Sequence, residues 1–153
     1  MKGVSPVRPA ASAVVREAME WVGTPYRHQG CRKRLACDCL GLVLGIWREL
    51  YGSDLPSPGP YAPDWAEATG EERLLDGLGG QLVAKPAADM APGDVIVFRW
   101  RPHLPAKHAG ILTDGDSFVH AYQGNGVTLT HLVPQWRRRI AAAFAFPDIP
   151  QNR

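Results

Sequence analysis

The segment Asp38–Tyr51 constrains the fold most, because its apolar residues fall on nearly all sides of a helix. A helix of this kind is buried in the middle of a protein. Asp38 is the predicted N-cap, and Gly52 is the predicted stop. Cys39 is therefore expected in the first turn, where the positive end of the helix dipole favours a thiolate.

The remaining pattern predicts helices first and strands afterwards. Apolar residues spaced 3, 4 and 7 apart predict a helix over Ala10–Val22, and a further helix is predicted over Asp64–Leu78. Turn signals then separate five predicted strands: Asp94–Trp100, Ala106–Thr113, Ser117–Gln123, Val127–Leu132 and Ile140–Phe146. This order predicts an α+β fold with a largely antiparallel sheet, in a single domain over residues 1–153 with its core at about 10–146.

Two histidines flank a turn signal at 114–116, Asp-Gly-Asp. A three-residue hairpin loop, with Gly115 in the left-handed conformation, would place His108 opposite Tyr122. His120 would then lie one diagonal step away on the same sheet face, within side-chain reach. One imidazole could orient the other, which would present a ring nitrogen to a thiol on the facing helix. Cys39, His108 and His120 are thus candidates for a nucleophile, a base and an orienting group.

Two other interpretations remain open. A cysteine in an apolar helix is commonly inert, and we expect Cys31 and Cys37 to be structural. Cys31, Cys37, Cys39, His108 and His120 are also numerous enough for a zinc site. However, the sequence has no C-x-x-C pair and no compact histidine spacing, so a metal is the weaker interpretation.

Composition argues against other classes of partner. The net charge is +2, and Arg137–Arg139 is the one dense basic run, so nucleic-acid binding is not expected. No stretch approaches the roughly 18 consecutive apolar residues of a membrane helix, so membrane insertion is not expected either. Residues 1–13 lack the pattern of a signal peptide, which predicts synthesis in the cytoplasm without a leader.

Several motifs in order resemble the NlpC-type cell-wall cysteine peptidase family, over about residues 10–146. They are W-V-G-T-P-Y-R-H at 21–28, D-C-L-G-L-V at 38–43, P-G-D-V at 92–95, H-A-G-I at 108–111 and V-H-A at 119–121. D-C-L-G-L-V together with W-R-E-L-Y-G at 47–52 is similar to the branch encoded among tail genes of phages and gene transfer agents.

The resemblance implies a role for each matching residue. Cys39 would be the nucleophile, His108 the general base and then acid, and His120 the orienting third member. Tyr26 and Asp38 would line the pocket for the amino-terminal side of the peptide. The fold would be papain-like, with the cysteine at the start of a central helix packed on an antiparallel sheet, and no cofactor would be needed.

Leu40 departs from the pattern, because cell-wall recycling members have serine directly after the cysteine. We expect this side chain at the mouth of the substrate cleft, where leucine cannot bind an ammonium group. The prediction is that the enzyme does not require a free N-terminal amine and acts on stems still attached to glycan.

The resemblance also implies a substrate and a setting. The substrate would be a peptidoglycan stem peptide, cleaved between D-glutamate and the diamino acid through a thioester. The chain would be carried in a virion or gene-transfer-agent tail, with tail or hub proteins as partners. Two alternatives stay open: a structural tail protein without turnover, and an amidase or acyltransferase on the same scaffold.

Overall fold

The computed structural model describes residues 11–53 and 72–147. Four α-helices lie in these ranges: α1 (Ala11–Glu20), α2 (Cys39–Tyr51), α3 (Arg73–Gly79) and α4 (Pro134–Arg137). Within the same ranges, no helix is long and apolar enough to cross a membrane.

Eight strands form two sheets in the described part of the chain. A short hairpin precedes α2 and consists of β1 (Cys31–Arg32) and β2 (Ala36–Cys37). The main sheet has the order β3-β8-β4-β5-β6-β7, and its neighbouring strands are all antiparallel. Its strands are β3 (Val83–Lys85), β4 (Val95–Phe98), β5 (His108–Leu112), β6 (Ser117–Tyr122), β7 (Gly126–His131) and β8 (Ile140–Ala145).

The main sheet has a buried cluster on each face. The larger cluster joins α1, α2 and α3 to one face, through residues such as Val97, Ala109 and Val119. The smaller cluster lies on the opposite face and includes Phe98, Phe118 and the partly buried Trp136. Central strands are therefore covered on both sides, and α2 contacts α1 as well as β5 and β6.

The predicted α+β arrangement and antiparallel sheet are confirmed. The five predicted strands are present, with ends that differ by at most two residues. The β1–β2 hairpin before α2, strand β3 and helix α4 were not predicted. Of the helix predicted over Asp64–Leu78, residues 64–71 lie outside the described residues, and α3 accounts for the rest.

Candidate active site

Cys39 is the first residue of α2, and its position is fixed by the cap that precedes it. Asp38 has extended backbone, and its Oδ1 accepts a hydrogen bond of 2.7 Å from the N–H of Gly41. Its Oδ2 accepts another, also of 2.7 Å, from the N–H of Gln29 in the preceding loop. The predicted cap is confirmed, as is the predicted stop at Gly52, which has a φ of 74°. One carboxylate thus ties the loop to the helix start.

Two N–H groups at the start of α2 interact with the Cys39 sulphur. A helix start leaves several N–H groups without intrahelical partners. Those of Asp38 and Gly41 are used, because the first donates to Gly30 O at 3.1 Å and the second to the cap. The N–H groups of Cys39 and Leu40, together with that of Ala109 on β5, interact with the sulphur and favour its thiolate.

Burial nevertheless keeps the thiol protonated. Burial first, and the negative charge of Asp38 second, raise the pKa of Cys39 to about 12, against the opposite effect of the three N–H groups. The N–H groups of the helix start favour the thiolate in the predicted direction, but desolvation outweighs them. The thiol donates to the carbonyl of Lys107, with a sulphur–oxygen distance of 3.8 Å.

The hairpin that carries the histidines has the predicted register. Ile111 faces Val119, and the N–H of Thr113 donates to Ser117 O at 2.9 Å across a three-residue loop. Gly115 does not have a positive φ, so the predicted left-handed glycine is wrong. The turn is instead stabilised by the carboxylate of Asp114, which accepts a hydrogen bond of 2.7 Å from the N–H of Asp116.

The two imidazoles form a hydrogen-bonded pair that continues to a third side chain. His108 Nε2 lies 2.8 Å from His120 Nδ1, and His120 Nε2 lies 2.9 Å from Thr130 Oγ1. If the Thr130 hydroxyl accepts from His120 Nε2–H, then His120 Nδ1 accepts from His108 Nε2–H. This chain leaves Nδ1 of His108 with a lone pair, as a general base requires.

Thr130 was missed by the sequence reasoning. The signal was present in the period of β7, because Thr128 faces His120 in the register and Thr130 lies two residues further along the same face. A threonine in a strand is too common to draw notice without the partner histidine.

The prediction that His108 faces helix α2 is wrong. Ala109 and Ile111 pack in the cluster that contains α2, so the alternating positions His108 and His120 point to the other sheet face. There the ring of His108 stacks on that of Trp100, with 5.2 Å between the ring centres. The ring of His120 lies edge-on to that of Trp136, with 5.1 Å between the ring centres. Cys39 and His108 nevertheless line one cavity, at the end of the sheet where β5 begins.

These aromatic surroundings keep both imidazoles neutral. His108 is 5% exposed and His120 is 1% exposed. Burial, with a smaller contribution from His120, lowers the pKa of His108 to about 3. Burial also lowers the pKa of His120 to about 4. The resting site thus contains a neutral thiol and a neutral histidine pair.

A cavity of about 390 Å³ brings the candidate residues together. Its walls include Tyr26, Cys39, Trp100 and His108, and His120 lies directly behind His108. Tyr26 is bridged to Cys37 in the backbone. Burial, and secondarily the nearby Cys39, raise the pKa of the Tyr26 hydroxyl to about 12, so it is a neutral donor in this wall.

Two predicted binding residues lie outside this cavity. Asp38 is 3% exposed, and both of its oxygens accept the backbone bonds described above. Leu40 is 9% exposed and packs in the larger core cluster. The expectation that Leu40 lies at the mouth of the cleft is therefore wrong, since the helix turns this side chain inward.

The other two cysteines are engaged elsewhere. Cys37 is fully buried, its thiol donates to Asp38 O at 3.0 Å, and burial raises its pKa. The sulphur of Cys31 lies 3.6 Å from a guanidinium nitrogen of Arg48. Over residues 11–53 and 72–147, no three candidate metal ligands come together, so the residues considered for zinc do not form a ligand set.

The family of the chain follows from comparison with known proteins. Residues 23–144 match the model of the NlpC/P60 family. Because this match covers most of the sequence, the chain belongs to that family of cysteine peptidases, as the motifs indicated.

Curated relatives include peptidases of bacteria. A probable endopeptidase NlpC homolog of Haemophilus influenzae is 32% identical over 74% of this chain and 50% of its own length. The murein DD-endopeptidase MepS/murein LD-carboxypeptidase of Escherichia coli is 28% identical over 86% of this chain and 61% of its own length. A gamma-DL-glutamyl hydrolase of Bacillus subtilis is 27% identical over 89% of this chain and 29% of its own length. The chain thus spans about half to three-fifths of the first two relatives.

Solved structures show the same fold. The NlpC/p60 domain of the peptidoglycan hydrolase SagA matches with a TM-score of 0.64 at 21% identity, over 89% of this chain and 98% of that domain. An NlpC/P60 family protein of Bacillus cereus matches with a TM-score of 0.66 at 20% identity, over 94% of this chain and 41% of that protein. The predicted papain-like α+β fold is therefore confirmed.

Proposed function

We propose that this chain is a peptidoglycan hydrolase that cleaves stem peptides as a cysteine endopeptidase. One observation carries the proposal: a single cavity joins Cys39, with its two N–H donors, to His108, with His120 and Thr130 behind it. This arrangement supplies a nucleophile, a base with a fixed tautomer and donors for a developing negative charge.

The proposed reaction begins from neutral groups. The thiol leaves the Lys107 carbonyl and gives its proton to Nδ1 of His108, while the sulphur attacks the scissile carbonyl. The N–H of Cys39 donates to the resulting oxyanion. The proton on His108 then passes to the leaving amine as the C–N bond breaks, which produces a thioester. Water, deprotonated by His108, hydrolyses the thioester and restores the thiol.

The proposed bond lies between D-glutamate and the diamino acid of the stem. This choice is supported by the motif resemblance and by the B. subtilis relative that is named a gamma-DL-glutamyl hydrolase. The E. coli relative is named a DD-endopeptidase, so the competing product is one cut at a D,D cross-link. Mass spectrometry of muropeptides after digestion distinguishes the two bonds, and it also separates hydrolysis from amidase or acyl-transfer chemistry.

We further propose that the chain acts from a phage-like or gene-transfer-agent tail, next to tail or hub proteins. The support is the pair of motifs at 38–43 and 47–52. Detection of the chain by immunoblot in purified particles, at a constant ratio to a tail protein, tests this setting. A chain that is absent from particles contradicts it.

The nucleophile is tested by three matched variants. Cys39→Ala is expected to abolish cleavage without unfolding the protein, because this thiol is not part of the main core cluster. Cys37→Ala and Cys31→Ala are expected to keep most activity. The measurement is release of new amines from purified sacculi, with thermal melts of each variant and labelling of the thiol by an electrophile.

A Cys39→Ala protein that remains active, or a folded Cys37→Ala protein that is inactive, would contradict the assignment of Cys39 as the nucleophile. If the wild type shows neither turnover nor labelling of Cys39, the chain is a structural protein with this fold.

A further inference from the structure

Trp100 also lines a second cavity. It has a volume of about 570 Å³, and its walls are formed by Arg99, Trp100, Pro102, Gln135, Arg138, Arg139 and Ile140. Trp100 is a wall of this cavity and of the one that holds Cys39. A molecule bound at Cys39 can therefore extend past this single ring into the second cavity.

The second cavity is basic, and one of its three arginines is already neutralised. Arg99 donates through Nη1 to the carboxylate of Glu72 at 2.5 Å and to Leu104 O at 2.7 Å. Arg138 and Arg139 are exposed, and neither forms an ion pair with a carboxylate of the described residues. Two guanidinium groups are thus available for an anion from outside.

Arg139 is held in place beside the shared wall. Its guanidinium carbon lies 5.6 Å from the centre of the Trp100 ring and 5.9 Å from that of Trp136. Stacking on aromatic rings orients the guanidinium plane while its N–H edge stays free to donate. The neighbouring Arg137 is not in this cavity, because it donates to Gly115 O at 2.7 Å on another side.

The position of His108 indicates which part of the substrate reaches these arginines. In the proposed reaction His108 protonates the leaving amine, and its ring stacks on Trp100. The group that passes Trp100 is then the residue that carries this amine, which is the diamino acid.

We propose, on the basis of the proposed function, that Arg138 and Arg139 form a subsite for the leaving residue and bind its side-chain carboxylate. The chain would therefore prefer a diamino diacid over a diamino acid whose side chain has no free carboxylate. Bidentate guanidinium–carboxylate bonds supply this discrimination.

The test compares two stem peptides that differ only at the side chain of the diamino residue, as a free carboxylate or a carboxamide. The wild type is expected to cleave the carboxylate form with a kcat/KM about tenfold higher, mainly through KM. Arg138→Gln and Arg139→Gln together should remove the preference, because the carboxylate form then loses both of its guanidinium partners. Arg137→Gln is the matched control and should keep the preference.

Three results would overturn the inference. The wild type could cleave both peptides equally well, or the preference for the carboxylate form could disappear in Arg137→Gln. The double variant could also keep the preference and lose only its binding to whole sacculi. The last result would mean nonspecific attraction to an anionic wall. If neither peptide is cleaved, the proposed function is contradicted but the subsite is not. Calorimetry then measures the affinity of the Cys39→Ala protein for each peptide and tests the subsite separately. Equal affinity for the two peptides would then overturn it.

Discussion

The buried histidine pair should make the fold sensitive to mild acid. In the folded protein, burial lowers the pKa of His108 from 6.5 to about 3 and that of His120 from 6.5 to about 4. In the unfolded chain both titrate near 6.5. Between these values the unfolded chain binds more protons, so stability decreases as the pH falls. This contribution is complete above about pH 7 and is lost progressively toward the folded pKa values.

The size of the effect follows from the same numbers. A pH of about 5 lies roughly 1.5 units below the unfolded pKa of histidine. Keeping each folded histidine neutral at this pH therefore lowers the free energy of unfolding by about 2 kcal/mol. The pair therefore removes about 4 kcal/mol from the free energy of unfolding between about pH 7.5 and pH 5. A domain of this size is stable by only about 5–15 kcal/mol, so the loss is readily measured.

Urea unfolding followed by far-UV circular dichroism measures this difference. Replacing His108 with Gln should remove about half of the pH dependence, and replacing both histidines should remove the part due to the pair, because an amide does not titrate. Carboxylates stay ionised across this interval. A wild-type change below about 1 kcal/mol, or a double variant with the full loss, would refute the reasoning.

Three further predictions concern single side chains. His120→Gln should keep some activity, because an amide oxygen can accept from the ring of His108, whereas His108→Gln should lose nearly all of it; equal losses in sacculus digestion would contradict this division. Thr130→Val should lower kcat about tenfold, because His120 Nε2 loses its hydrogen-bond partner, and Thr130→Ser should lower it much less, because serine keeps the hydroxyl. Thr128→Val is the control, since Thr128 faces His120 in the register. An equal loss of kcat in Thr128→Val would indicate that packing alone is responsible. Leu40→Ser should lower the free energy of unfolding by about 2–4 kcal/mol in urea, because this side chain packs in the core, and an unchanged midpoint would contradict that placement.

The start of the central helix could be predicted because its signals are local. Asp38, the apolar run after it and Gly52 specify the two ends of α2 by capping chemistry alone. The hairpin register was likewise predictable, because a three-residue loop fixes every facing pair from the turn outward. These local rules placed Cys39 in its first turn and His108 beside His120.

The sheet face of the histidines was not predictable in the same way. Alternation shows which face is buried only when the other face is exposed to water. Strands β4 and β5 are buried at every residue, and β6 at every residue but its last. Their sequence pattern therefore does not indicate which face of the sheet packs against α2.

The ionisation of the site depends on neighbours from distant parts of the chain. Phe98, Phe118 and Trp136, which surround the histidines, come from β4, β6 and α4. A helix-start argument considers only the local N–H groups around Cys39 and so predicts a thiolate. The folded surroundings remove water from thiol and imidazole alike, which raises the pKa of Cys39 and lowers the pKa of His108.

Cysteine and histidine come from two separately organised parts of the fold, and this bears on how the site works. Cys39 is placed by the Asp38 cap and the loop that it ties, whereas His108 is placed by the sheet, His120 and Thr130. The two parts meet where the thiol contacts Lys107 O at the start of β5. In the proposed reaction, proton transfer between them accompanies attack on the substrate, because desolvation disfavours the charged form of each. A resting ion pair is not required, and the two parts need only bring the thiol from Lys107 to the free nitrogen of His108.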